Sequence, residues 1–219
     1  MTKEEIRARI ADIGIIPAVR LSSAEDALFA AETICDSGIP IVEVTMTVPG
    51  ALKVIAALAR EYSENLIVGA GTIFDVPTAQ QCLDAGAKFL TTPGPELDIV
   101  DFAVKQGTVV FPGALTPGEV TAMWKAGADF IKIFPCAQIG GPGYIQALKA
   151  PFNRVPLIAS GGVNQDNAVD YIRAGAAALG IGRHLIHPDA IKRREDGWIR
   201  ELSRRYLGLV KQARSIALK

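Results

Sequence analysis

One pattern constrains the fold of this chain more than any other: Ala-rich stretches of helical character close on Gly, and a short hydrophobic run follows within a few residues. Asp36-Ser37-Gly38, Asp84-Ala85-Gly86, Lys105-Gln106-Gly107, Lys125-Ala126-Gly127 and Arg173-Ala174-Gly175 each put Gly where a left-handed helix cap is expected. The runs around them predict strands at Ile15–Arg20, Ile41–Met46, Leu66–Ala70, Lys88–Thr92, Thr108–Phe111, Phe130–Phe134, Pro156–Ser160 and Ala178–Ile181. The segments between them run roughly 15 to 20 residues, room for the one crossover helix that each pair of parallel strands requires. Eight such units within 219 residues predict an α/β fold, a compact (β/α)8 TIM barrel. An open doubly wound sheet is the competing arrangement.

Asp12-Ile13-Gly14 closes a short N-terminal helix before the first strand. The stretch from Asp196 to Lys219, with Trp198, Ile199, Leu202, Tyr206, Leu207, Leu209 and Val210, reads as a long closing helix. No linker or low-complexity segment divides the chain, so residues 1–219 are expected to form a single (β/α)8 barrel domain.

Several functional classes are disfavoured by composition. Lys plus Arg and Asp plus Glu both total 23, leaving no net basic field for a phosphate backbone, so nucleic acid is not expected as a partner. The N-terminus is charged from the start, and no stretch approaches the ~20 apolar residues that span a bilayer. A cytoplasmic protein without a membrane partner is therefore expected. Cys35, Cys82 and Cys136 are widely spaced and odd in number, which argues for a reducing compartment and against Cys-based zinc. With only His184 and His187 besides, neither a metal site nor a cofactor is expected; both histidines read as solvated.

In a barrel, functional groups gather at the C-terminal ends of strands, with alternate residues facing inward. Polar residues inside apolar strands are therefore the ones to weigh. Lys132 stands in Phe130-Ile131-Lys132-Ile133-Phe134-Pro135, where alternation turns Phe130, Lys132 and Phe134 inward. Burial disfavours its ammonium form, and the neutral amine is a nucleophile toward a carbonyl. Glu43 stands in Ile41-Val42-Glu43-Val44-Thr45, again an ionisable residue among β-branched ones. The second and sixth strands are both even-numbered and share a layer of the barrel, so Glu43 and Lys132 are expected to face each other. A structural ion pair or a lysine snorkelling to the mouth is the alternative; a Schiff-base lysine with a carboxylate to shuttle protons accounts for both residues at once.

Five further segments point to the same end of the barrel. Val68-Gly69-Ala70-Gly71-Thr72 ends the third strand in small residues that would let backbone approach a ligand, with the Thr72 hydroxyl available to a carboxylate. Thr92-Pro93-Gly94-Pro95 and Phe111-Pro112-Gly113-Ala114 are stiff turns that could wall a pocket or start helices. Ser160-Gly161-Gly162-Val163, with Asn164 as a candidate helix cap, and Gly180-Ile181-Gly182-Arg183 follow the seventh and eighth strands, where barrels bind phosphate. Arg20 ends the first strand, so Arg20 and Arg183 could both reach an anion at the mouth.

Taken together, Ile16-Pro17-Ala18-Val19-Arg20, Glu43-Val44-Thr45, Gly69-Ala70-Gly71-Thr72, Pro93-Gly94, Pro112-Gly113, Lys132-Ile133-Phe134-Pro135 and Ser160-Gly161-Gly162-Val163 resemble, in family order, the 2-keto-3-deoxy-6-phosphogluconate and 4-hydroxy-2-oxoglutarate aldolases. The resemblance implies a class I aldolase, usually a homotrimer. Lys132 would form the imine and Glu43 would act as general acid–base. Thr72 would bind the keto-acid carboxylate, Pro93 and Phe134 would line the pyruvyl pocket, and Gly161, Gly162 and Gly182 would meet a distal phosphate. Many members carry Glu-x-Thr-x-Arg on the second strand. Here Thr47 takes the Arg position, and Arg20 matches relatives that place the charge on the first strand instead. Arg183 replaces the Ser that follows the last glycine pair in the family. Two other readings share the barrel: a phosphosugar isomerase or epimerase using Glu43 as base, and a non-catalytic metabolite-binding barrel.

Overall fold

The structure, a computed structural model, describes residues 1–63 and 65–217. Its parallel strands are β1 (Ile15–Val19), β2 (Ile41–Thr45), β3 (Ile67–Gly71), β4 (Phe89–Thr91), β5 (Val109–Phe111), β6 (Gly113–Ala114), β7 (Ile131–Ile133), β8 (Leu157–Ser160) and β9 (Ala176–Ile181). They form one sheet in the order β5-β4-β3-β2-β1-β9-β8-β7-β6. The expected fifth strand is split because Pro112 interrupts it, having no N–H to give to a ladder. Across that break Asp129 N and Phe130 N donate to Val110 O, and Lys132 N donates to Pro112 O. The ends of the sheet thereby meet, and eight expected strands become nine segments of a nearly closed barrel.

Helices α1 (Lys3–Ile13), α2 (Ala24–Cys35), α3 (Ala51–Tyr62), α4 (Val76–Asp84), α5 (Leu97–Lys105), α6 (Pro117–Lys125), α7 (Gly141–Lys149), α8 (Ala168–Arg173), α9 (Pro188–Lys192) and α10 (Asp196–Ala217) accompany the strands. The five glycines singled out at helix ends all have positive φ, between 65° and 102°. At α4 this closes a Schellman turn, with Gly86 N donating to Leu83 O and Ala87 N to Cys82 O. Strand alternation divides the apolar residues in two. Ile131 and Ile133 join the outer core under the helices, while Ile16, Ile41, Ile67, Phe89, Phe111, Phe130 and Ile158 fill the barrel interior.

The barrel interior is completed from below by α1. Thr2 and Glu5 form a reciprocal capping box that starts this helix, and its Ile6 and Ile10 pack into the inner cluster. Each aliphatic side chain so buried contributes about 1.5–3 kcal/mol. Asp129, only 5% exposed, fastens the same end: it sits 3.0 Å from Lys3 Nζ and 3.3 Å from Arg7 Nε.

The closing helix α10 buries Ile199, Leu202, Tyr206, Val210 and Ala213, one stripe at helical spacing. Trp198 is not part of that stripe; it is exposed and meets His187 edge-on. The last two positions of the expected helix, 218 and 219, lie outside the described residues.

Candidate active site

Lys132 stands at the centre of β7, above the inner Phe130. Its neighbours Ile131 and Ile133 are fully buried on the other face, so strand geometry commits the lysine to the barrel interior. Glu43 rises from the matching height of β2, between the buried Ile41 and Thr45. Lys132 is 8% exposed and Glu43 3%, and Lys132 Nζ lies 3.5 Å from Glu43 Oε2. The ammonium also stands 5.7 Å from the centroid of the Phe134 ring. An amine so placed has one carboxylate and an aromatic face for company, with little water to solvate it.

The strand ends supply the walls. Thr45 donates from Oγ1 to Val19 O at 3.0 Å, stitching β2 to β1 just where Arg20 leaves the sheet. Thr45 Oγ1 also meets Thr47 Oγ1 at 2.8 Å, so Thr47 serves this loop network and does not line the pocket. Arg20 Nη2 donates to Thr72 Oγ1 at 3.2 Å. Thr72 has φ 63°, a left-handed conformation costing about 1–2 kcal/mol for a non-glycine residue. Thr92 Oγ1 donates to Gly94 O and accepts from Gly113 N, which fixes the turn carrying Pro93.

On the opposite side, Cys136 N donates to Ser160 O and Ala137 N to Gly161 O, holding the Phe134-Pro135 turn, with its cis peptide bond, against β8. Gly161 and Gly162 both have positive φ. Asn164 caps the turn that follows, accepting from Asp166 N and Asn167 N, while Asn167 occupies the cap of α8 itself. The thiol of Cys136 is buried behind this turn, and burial pushes it up to about 11, which removes it as a nucleophile.

One cavity of about 480 Å³ collects these groups. Arg20, Glu43, Thr72, Pro93, Lys132, Phe134, Gly161, Gly162, Gly182 and Arg183, the ten residues expected to act in catalysis or substrate binding, line it. Three cations, Arg20, Lys132 and Arg183, face one carboxylate, Glu43, a formal excess of two positive charges suited to an anionic ligand. A second cavity, between α3 and α4 on the outer layer, is remote from all of these groups. Among the described residues no three His, Cys, Asp or Glu side chains converge as metal ligands would. No helix among them is long and apolar enough to cross a membrane.

Two sequence expectations, on the glycines of β3 and on His187, need correction here. The glycines of β3 do not open the backbone to a ligand: an added Cβ at Gly69 would strike the Phe89 ring at 2.1 Å, and one at Gly71 would strike Glu43 Oε1 at 2.0 Å. His184 is exposed, as expected, and lines the cavity rim beside Arg183. His187 is half-buried and caps α9, its Nδ1 accepting from Asp189 N at 3.3 Å. Ser160 and Gln138 also line the cavity. Ser160 was visible as a strand end next to the glycine pair but had no polar partner to mark it. Gln138 belongs to a 3₁₀ turn, Ala137–Ile139, that carries no sequence signal of its own.

A TIM barrel whose mouth holds a buried lysine against a carboxylate has the arrangement of the aldehyde-lyases that work through an imine. Comparison with known proteins narrows that class. The family described as KDPG and KHG aldolase matches residues 6–202, and the chain belongs to it. It is 29% identical over 198 residues, covering 90% of this chain and 94% of the relative, to 2-dehydro-3-deoxy-phosphogluconate aldolase of Treponema pallidum. It is 31% identical over 172 residues, 78% of this chain and 83% of the relative, to 2-dehydro-3-deoxy-6-phosphogalactonate aldolase of Escherichia coli. The crystal structure of KDPG aldolase from Legionella pneumophila, with pyruvate captured as a covalent carbinolamine, superposes with a TM-score of 0.83 at 29% identity, covering 90% of this chain and 95% of that one. The protein is accordingly an aldolase, a lyase.

Proposed function

We propose that this chain cleaves a 2-keto-3-deoxy-6-phospho sugar acid, or 4-hydroxy-2-oxoglutarate, to pyruvate and an aldehyde through a Schiff base on Lys132. The observation that carries the reading is the pair itself: a buried amine 3.5 Å from a buried carboxylate at the floor of a cationic pocket. An ion pair withdrawn from water is weak evidence for stability alone, and imine chemistry gives both groups work.

Lys132 gives up its ammonium proton to Glu43 and adds to the C2 carbonyl to form a carbinolamine; Glu43 returns that proton to the departing hydroxyl, and water leaves a protonated imine. Glu43 takes the proton of the C4 hydroxyl as the C3–C4 bond breaks. The bonding pair moves into the imine as an enamine and the aldehyde departs: glyceraldehyde 3-phosphate from the phosphorylated acid, glyoxylate from 4-hydroxy-2-oxoglutarate. Protonation at C3 and hydrolysis then release pyruvate and restore Lys132. The protonated imine is the electron sink, so the reaction calls on neither metal nor cofactor.

Arg20 and Thr72 would take the keto-acid carboxylate, Pro93 and Phe134 the pyruvyl group, and Gly161, Gly162, Gly182 and Arg183 the distal phosphate. The names of the Treponema and Escherichia relatives, both acting on phosphorylated acids, support a phosphorylated substrate. The Legionella carbinolamine supports the covalent route. The reading extends to the whole of residues 1–219 as one barrel domain acting in the cytoplasm as a homotrimer, with the exposed Phe74 and Leu97 as side chains that contact between copies would cover. Measuring pyruvate release from 2-keto-3-deoxy-6-phosphogluconate, its galactonate epimer and 4-hydroxy-2-oxoglutarate side by side tests the substrate class. Faster release from one of the two phosphorylated acids is expected; release from none of the three would overturn the reading.

A further inference from the structure

Strands β2 and β3 run in parallel register, with Glu43 opposite Gly69 and Thr45 opposite Gly71. The Glu43 side chain leans past its own register partner and lays its carboxylate over Gly71. A Cβ on Gly71 would lie 2.0 Å from Glu43 Oε1, 2.5 Å from Cδ and 2.7 Å from Cγ, and the three atoms nearest that position all belong to Glu43. Gly71 is not among the residues with positive φ. An L side chain therefore fits its backbone, and glycine inside a strand is otherwise unfavourable. Neither a turn nor a backbone strain accounts for glycine here; the space above it does.

We propose that Gly71 is a positioning residue: its missing side chain is the seat in which the Glu43 carboxylate lies, and that seat sets the carboxylate's distance and direction to Lys132. The proposal rests on the acid–base role assigned to Glu43. With an alanine at position 71, Oε1 must withdraw from 2.0 Å to the ordinary contact distance of 3.4 Å from the new Cβ. A shift of about 1 Å in a reacting group is enough for a loss of about 100-fold in rate. Gly69 provides the contrast. Its space is filled by the Phe89 ring of the inner core, so Gly69→Ala disturbs packing and stability without aiming at the carboxylate.

A double-mutant cycle in kcat for pyruvate release tests this, using Gly71→Ala, Glu43→Ala and the double variant, with thermal melts beside the kinetics. Gly71→Ala is expected to lower kcat about 100-fold, with KM and the melt near those of the parent. In the Glu43→Ala background the same change should alter kcat by less than about 2-fold, because the side chain it displaces is gone. Full activity in Gly71→Ala, or an equal further loss on top of Glu43→Ala, would overturn the proposal while leaving the role of Glu43 intact. Wild-type turnover in Glu43→Ala would instead remove the acid–base reading, and the proposal with it. Should Gly71→Ala melt below the assay temperature, the melts of the same cycle carry the test. Removing the Glu43 side chain removes every atom nearest the new Cβ, so the double variant is expected to regain the melt of Glu43→Ala, and a double variant as unstable as Gly71→Ala contradicts the seat.

Discussion

Arg20 and Thr72, 52 residues apart in the chain, meet at the wall of the pocket, Arg20 Nη2 donating to Thr72 Oγ1 at 3.2 Å. The bond ties the end of β1 to the end of β3 across the end of β2. It turns the guanidinium toward the cavity that both residues line.

Arg20→Ala is expected to raise KM for the keto acid 10- to 100-fold, since a hydrogen bond to a charged group contributes about 1.5–3 kcal/mol. The kcat should stay within a few-fold of the parent. Arg20→Lys should recover only part of the loss, because an ammonium cannot offer the two parallel donors of a guanidinium. Steady-state kinetics separate the cases; a fall in kcat at unchanged KM would place Arg20 in the chemistry and not in binding.

Asp129 is expected to matter for stability and not for turnover. Besides Lys3 and Arg7 it accepts from Val110 N at 2.9 Å, at the end of the barrel opposite the pocket. Asp129→Ala leaves that N–H unsatisfied and frees α1. Arg7 is largely exposed, so its share of the loss is small, and a total of about 1–3 kcal/mol in urea unfolding is expected. The pyruvate-release rate of the folded fraction should match that of the parent.

The acid limb of stability should carry a contribution from Glu119. Hydrogen bonds from the backbone N–H groups of Leu115 and Thr116, with the Thr116 hydroxyl, hold its carboxyl below the ordinary 4.5. A group depressed in the folded state stabilises above its unfolded value, and the contribution is lost as pH falls through the folded value. Thermal melts between pH 7 and pH 3 should therefore fall less steeply below 4.5 for Glu119→Gln than for the parent. Parallel curves would show that the capping box contributes nothing pH-dependent.

How much of this was legible in the sequence follows from where each signal resides. Lys132 and Glu43 stand out because strands announce their faces by alternation, and an ionisable group on an inward face is conspicuous. The helix-end glycines were legible because a left-handed cap is a local event. The splitting of the fifth strand could be read only as a turn at Pro112, since its effect depends on the ladder it interrupts. What α1 does was hidden altogether: Asp129 and its partners Lys3 and Arg7 are more than 120 residues apart. The glycines of β3 misled for a related reason. A glycine says that space is needed beside the backbone but not what fills it, and at Gly71 the occupant comes from the strand before.

Reduction with borohydride in the presence of pyruvate, followed by peptide mapping, tests the central claim most directly. Trapping should add one pyruvyl group to the chain, on the peptide carrying Lys132, and Lys132→Ala should remain folded yet form no adduct. An adduct on any other lysine, one that survives in Lys132→Ala, or none in the parent would contradict an imine at this residue.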